Sequence, residues 1–322
     1  MKKIIIKSAL YIILILISLE FIVRVFHLNK DNPSRFVDEY KVEKWIPNQE
    51  GYSVTGNRRQ NFSKFYINSF GYNSYREFTP SKDKIELALV GDSFIEGFHQ
   101  NYYNSIGKKI EDKLVDTEVY EYGYAGYDLA DQLHLIYAYK ETFDLIDHVV
   151  LGLKFKNDLN RGEYHVVQDR MHLESPLYKK ARRIKLLVYA QNIGVLAPLW
   201  KLAGRLASIG KKKKPYVHQK KETKQDLEIK HATYIKNFQN LIDIYGFDKE
   251  RFMLLIDKGI TPQVFLNYLD DNNFKYIDFS QSFNESKKPT TLIYDRHWNN
   301  HGRNLVAGVI YNYIKDEKTK TD

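Results

Sequence analysis

The chain has no cysteine. Disulfides, thiolate metal sites and a cysteine nucleophile are therefore excluded, while the redox compartment stays open. There is no His-Glu-x-x-His, no P-loop and no dinucleotide fingerprint, so the sequence signatures of zinc peptidases, nucleotide hydrolases and nicotinamide enzymes are missing. Neither a metal nor another cofactor is expected. A net charge of +9 comes without any zinc-knuckle, RNA-recognition or helix-turn-helix signature. The excess of Lys and Arg is accordingly read as solvated or lipid-facing, with no nucleic-acid partner. No internal repeat is apparent. With 43% hydrophobic and 28% charged residues in 322, the bulk of the chain is expected to be globular and able to bury a core without staples.

One long apolar run is present. Residues 8–28, SALYIILILISLEFIVRVFHL, follow Lys2, Lys3 and Lys7 and have about the 20-residue length that crosses a bilayer as a helix. Glu20 and Arg24 interrupt the run at i, i+4 spacing, where they can pair on one helix face. A secretory signal peptide is the competing reading, but no small-x-small cleavage site follows. Residues 1–28 are therefore expected to be a cytoplasmic tip and an uncleaved single-pass anchor in the cytoplasmic membrane. The N-terminal lysines favour an inside amino terminus, which puts the remaining chain on the periplasmic or extracellular side.

Residues 29–80 are polar and tyrosine-rich and read as a connector wrapping the following domain, with strand-like alternation at 65–72. From residue 85 apolar runs bounded by turn signals alternate with helical periodicities. Strands are expected at 85–90, 117–123, 147–153, 251–256 and 276–279. Helices are expected at 102–114, 127–141, 223–245, 261–271 and 299–315. This alternation predicts a parallel sheet covered on both faces over 81–322, with ligands at the carboxyl ends of its strands. Residues 176–221 break the pattern. They are apolar in the middle and cationic at both flanks (Lys179-Lys180, Arg182-Arg183, Lys211 to Lys214, Lys220-Lys221). The segment is either a helical insertion packed on the core or an interfacial helical pair on anionic lipid.

Four blocks sit at predicted strand ends. In LVGDSFIEG (89–97), Gly91 permits a tight turn and Ser93 is presented beyond the strand, although an isolated Gly-Asp-Ser serves equally well as a helix cap. In EYGYAGYDLADQL (121–133), Gly126 can bring a backbone N–H to a developing oxyanion, with Gly123 as the alternative turn residue. In VVLGLKFKNDLNR (149–161), the Asn157 amide is a second donor, or part of an ordinary Asn-Asp turn. In LIYDRHWNNHGRNLVAGVI (292–310), Asp295 can hold His297 in one tautomer while its other nitrogen takes a proton. His301 is the rival histidine.

Order, spacing and placement together resemble the SGNH/GDSL hydrolase superfamily over about residues 85–315. The resemblance implies a three-layer, flavodoxin-like α/β fold, Ser93 as nucleophile, His297 as base, Asp295 as acid, and Ser93, Gly126 and Asn157 as oxyanion donors. Phe94 stands where the family often has leucine, and Asp-x-His replaces the commoner Asp-x-x-His, since residue 294 is tyrosine. That late block resembles alginate O-acetyltransferase-like proteins. It implies acyl chemistry, acetyl above all, on a cell-envelope polysaccharide, with an ester-bearing glycan or acyl donor as partner and a place in polysaccharide machinery. The alternatives are a lipid- or thioester-directed esterase, and a non-catalytic glycan-binding or assembly protein, which predicts a broken site.

Overall fold

The computed structural model describes residues 1–56, 59–114, 116–199, 201–202 and 223–321. They fall into two compact units: 1–32, 52–62 and 168–221 in the first, and 33–51, 63–167 and 222–322 in the second.

The second unit is built on five parallel strands: β5 (Ile85–Gly91), β6 (Thr117–Gly123), β7 (His148–Gly152), β8 (Phe252–Ile256) and β9 (Tyr276–Asp278). Their order is β6-β5-β7-β8-β9, with parallel registers such as Gly91↔Gly123 and Val90↔Leu151. This is the doubly wound, flavodoxin-like arrangement, in which the chain reverses its direction of travel at the first strand. Strand residues alternate between two cores. Ala88, Val90, Tyr120, Tyr122, Val149 and Leu151 face one; Leu87, Leu89, Val119 and Val150 face the other. The first core is covered by α4 (Leu129–Ala138), α10 (Lys224–Tyr245) and α11 (Gln263–Asp271); the second by α3 (Ile106–Glu111), α12 (Ser280–Asn284) and α13 (Asn300–Thr321). The expected three-layer fold is thus present.

Local boundaries differ from the expectation in two places. The segment 102–114 is a 3-10 turn at Tyr102–Asn104 followed by α3, because Ser105 caps a new start by accepting from Lys108 N. The segment 127–141 divides into α4 and α5 (Lys140–Phe143) at Tyr139, whose φ and ψ are −110° and 36°.

Before the sheet, β1 (Arg35–Val37) pairs antiparallel with β2 (Glu43–Trp45), and β3 (Glu50–Thr55) pairs with β4 (Asn61–Tyr66). Val42, Trp45, Phe65, Ile67, Tyr72 and Phe78 enter the first core. Residues 33–51 and 63–80 therefore supply part of the second unit's interior.

The first unit contains α1 (Lys2–Val25), α7 (Gln168–His172), α8 (Pro176–Arg183) and α9 (Lys185–Asn192). Helix α1 is long and apolar enough to cross a membrane. The basic runs at 211–214 and 220–221 lie outside the described residues.

Candidate active site

Strand β5 ends at Gly91, and the chain turns at once into α2 (Ser93–Glu96). Asp92 caps this single turn by accepting from Phe94 N at 2.9 Å. Gly97 ends it in the left-handed region at φ 71°, a conformation glycine adopts without a Cβ penalty. The turn lies directly on the strand ends. A Cβ on Gly123, the last residue of β6, would stand 2.1 Å from Glu96 N. Gly123 is therefore required by close approach, whereas Gly126, at φ 94°, provides the turn into α4. Because α2 is one turn long, it brings little helix dipole to bear on Ser93.

Buried polar contacts fix the turn from behind. Glu96 accepts from Trp45 Nε1 at 2.8 Å and from Ala125 N at 3.1 Å, and its carbonyl accepts from Asn73 Nδ2 at 2.7 Å. Arg303, fully buried on α13, donates to the carbonyls of Trp298 and Phe94, both at 3.2 Å. It thus joins the serine-bearing and histidine-bearing segments. Burial pushes this guanidinium down to about 10 despite the nearby Glu121 carboxylate.

The Ser93 Oγ lies 2.6 Å from His297 Nε2. His297 Nδ1 is in hydrogen-bond contact with Asp295 Oδ1, and the same oxygen accepts from His297 N at 3.0 Å. A single residue between acid and base suffices because the carboxylate closes an Asx-type turn on its own backbone. A bridge between Thr291 and Trp298 and the bond from Leu292 N to His297 O at 2.9 Å fold this segment back on itself. The network assigns the proton to Nδ1, leaving Nε2 to accept the serine hydroxyl. Burial works to raise the Asp295 carboxyl, but the hydrogen bonds from the His297 ring and backbone, with His99 beside it, hold it at about 2.

His99 is the residue that the sequence blocks did not single out. It is buried, stacks on His297 with ring centroids 4.2 Å apart, and faces the second Asp295 oxygen, Nε2 to Oδ2, at 3.0 Å. Its position six residues after Ser93, just past Gly97, was the available signal. His99, Asp295 and His297 are also a set able to ligate a cation, with ligand atoms within 4.8 Å of one another. Ligation there would replace the hydrogen bonds that both Asp295 oxygens now make. His301 is engaged elsewhere, with Ser286 Oγ at 2.8 Å.

Gly126 and Asn157 stand at the ends of β6 and β7, on either side of β5. Neither bonds to the serine, histidine or aspartate among the described residues. The Ser93 and Gly126 N–H groups and the Asn157 side-chain amide make no hydrogen bond at all among those residues. Asn157 lies on α6 (Phe155–Asp158) and lines a cavity of about 450 Å³. The residues flanking Ser93 (Asp92 and Phe94) and His297 (Arg296 and Trp298) line it too. Its wall is mostly apolar, with Phe155, Leu255, Ile260 and Phe279, and carries Lys154, Lys156 and Arg296. Lys154 pairs with Asp92 and lies 4.0 Å over the Phe94 ring. Asp158 is buried and accepts from Lys154 N at 2.7 Å; burial and the Asp92 charge push its carboxyl up to about 8.

No protein-family model matches the chain, and no curated protein matches it. Solved structures give weak likenesses. A lipase/acylhydrolase from Enterococcus faecalis superposes with a TM-score of 0.40 at 13% identity, over 72% of this chain and 96% of that one. A lipolytic protein of the G-D-S-L family from Veillonella parvula gives 0.36 at 14%, over 71% and 97%. A catalytic mutant of an acetylxylan esterase from Geobacillus stearothermophilus gives 0.37 at 12%, over 73% and 96%.

Proposed function

We propose that this chain is an SGNH-type serine esterase or acyltransferase. The reading rests above all on one observation: Ser93 Oγ within 2.6 Å of His297 Nε2, with Asp295 on the other ring nitrogen. His297 Nε2 takes the Ser93 proton as Oγ attacks the ester carbonyl carbon. The tetrahedral intermediate collapses, the alkoxide leaves with the proton from His297, and an acyl-Ser93 remains. Water or a sugar hydroxyl then gives its proton to His297 and attacks the acyl carbon; the second tetrahedral intermediate collapses, the C–Oγ bond breaks, and His297 returns the proton to Oγ, which restores Ser93. Asp295 keeps Nδ1 protonated and stabilises the imidazolium; His99 positions Asp295. The Ser93 and Gly126 N–H groups and the Asn157 amide receive the oxyanion, each donor contributing about 10²–10³ in turnover.

The substrate proposed from the sequence resemblance is an acylated, most simply acetylated, polysaccharide of the cell envelope, met by an outward-facing domain on a single-pass anchor. One observation favours a second reading. The cavity beside Ser93 is far larger than an acetyl group needs and mostly apolar, which suits a longer acyl chain in an ester or thioester. A non-catalytic role has no support from a site in which serine, base and acid are in hydrogen-bond contact. The test is hydrolysis by the full chain in detergent of p-nitrophenyl esters from acetate to octanoate, with an acetylated glycan alongside, for wild type and Ser93→Ala. Serine-dependent turnover supports the reading, and the preferred ester chooses between acetyl and longer acyl groups. Equal rates in both proteins on every substrate would refute it.

A further inference from the structure

A signal peptide and a membrane anchor look alike in composition, and the contacts that α1 makes bear on which of the two it is. The far end of this helix is built into the first unit. Glu20 accepts from the backbone N–H groups of Lys185 and Leu186, at 3.0 and 2.6 Å, and so caps the start of α9. Arg24 pairs with Glu20 and donates to the Arg183 carbonyl at 2.6 Å. Val23 is the buried residue of α1. Just beyond the helix, the Phe26 carbonyl accepts from Arg59 Nη1 at 3.0 Å. Asp31 donates its backbone N–H to the Tyr52 carbonyl at 2.9 Å, and its carboxylate accepts from Tyr52 N at 3.0 Å and pairs with Lys185 Nζ at 2.7 Å. Cleavage behind α1 would strip α9 of its Glu20 cap and remove the Arg24 contact to Arg183.

The same contacts fix a depth. Between Lys3 and Glu20 an α-helix rises about 25 Å, close to the ~30 Å hydrocarbon thickness of a bilayer. Glu20 therefore marks the level at which α1 leaves the hydrocarbon. Helices α8 and α9, joined to α1 at that residue, stand at the headgroup level. Their surface suits it. Leu177, Tyr178 and Ile184 are 78%, 54% and 53% exposed, and neither helix has a buried residue. Lys180 and Arg183 make no ion pair among the described residues, whereas Lys179 and Arg182 both face Glu174. Exposed apolar side chains beside cations, with little core beneath, are the surface of a helix lying in an anionic interface.

We infer that α1 is retained in the mature protein and that α8 and α9 lie in the anionic headgroup layer of the membrane that α1 crosses. The inference rests on the membrane-spanning role proposed for α1 and adds an interaction surface independent of the chemistry at Ser93.

The absence of cysteine allows a direct test on the full chain. Leu177→Cys and Leu187→Cys, and Tyr103→Cys in the second unit as control, are labelled with nitrobenzoxadiazole. The chains are reconstituted in phosphatidylcholine vesicles with or without phosphatidylglycerol, using lipids that carry a headgroup-level quencher. Retention of α1 is read by N-terminal sequencing of membrane-extracted protein. The expected result is an intact α1 and quenching severalfold stronger at 177 and 187 than at 103. The difference should grow with phosphatidylglycerol and lose that growth in the Lys180→Glu/Arg183→Glu chain. A mature chain beginning beyond Val25 overturns both the anchor and the interfacial helices. An intact α1 with all three probes quenched alike overturns the interfacial helices and leaves the anchor standing. Strong quenching that ignores both phosphatidylglycerol and charge reversal overturns the assignment to anionic headgroups.

Discussion

A chain beginning at Ser81 contains every strand of the parallel sheet and every residue of the proposed site, yet it should neither fold stably nor react. The deletion removes Val42, Trp45, Phe65, Ile67, Tyr72 and Phe78 from the first core, each at most 3% exposed. Burying a large apolar side chain contributes about 1.5–3 kcal/mol, so the six together contribute ~9–18 kcal/mol, an upper estimate because unfolded chains are partly collapsed. A whole domain is stable by only about 5–15 kcal/mol. The deletion also removes the donors from Trp45 and Asn73 to Glu96 and the bond from Ser63 Oγ to the Phe98 carbonyl at 2.5 Å. These hold the α2 turn, and with it Ser93, on the strand ends.

A chain beginning at Pro33 keeps all of these contacts and should stay folded and reactive. The assay is a thermal melt followed by circular dichroism, together with the rate of Ser93 labelling by a fluorophosphonate. Trp45→Phe provides the graded version: it keeps most of the apolar area and removes one hydrogen bond to a buried carboxylate, a loss of about 1.5–3 kcal/mol. Equal melting and equal labelling of the chains from Ser81 and Pro33 would refute the reasoning.

His99→Leu should lower kcat/KM by about 10- to 100-fold, the value of one hydrogen bond to a carboxylate, with KM little changed and part of the loss recovered by His99→Gln; an unaltered kcat/KM would remove His99 from the site. Gly123→Ala places a Cβ 2.1 Å from Glu96 N, and an overpacking cost of about 1–3 kcal/mol should lower the melting temperature by roughly 2–12 °C, a shift that calorimetry would detect or exclude. Asp158 holds its proton up to about 8 while the unfolded chain releases it near the ordinary carboxyl value of about 4. Wild-type stability should therefore fall as pH rises through that window, by up to ~1.4 kcal/mol per unit. Asp158→Asn should flatten the fall in urea midpoints between about pH 5 and pH 7.5, though not abolish it, since buried Glu121, raised to about 7, acts with the same sign.

The sheet was legible because β5, β7 and β8 are buried on both faces and read as continuous apolar runs bounded by turn residues. The strands before the sheet were harder to read. Three-residue strands such as β1 and β2 carry too little alternation, and their pairing is decided by core contacts distant in the chain. Helix boundaries at Ser105 and Tyr139 depend on capping geometry more than on periodicity. At the second block, sequence left two glycines open. The fold separates them by physical demand: Gly123 yields space to the backbone of α2, and Gly126 adopts a positive φ.

The Asp-x-His spacing and His99 are two parts of one arrangement, which is why the first could be read and the second could not. With only Arg296 between them, the Asp295 carboxylate turns back on its own chain, and Oδ1 serves both His297 N and Nδ1. Oδ2 then points away from His297, within a partly buried site, and an ionised oxygen there needs a donor. His99 supplies it from the loop after α2, at 3.0 Å, and its ring lies flat against His297. A short spacing between acid and base thus creates a requirement that is met from the nucleophile's own segment. Nothing in the periodicity of residues 97–101 reveals that requirement. It follows only from asking where both oxygens of Asp295 find their partners once the turn is made.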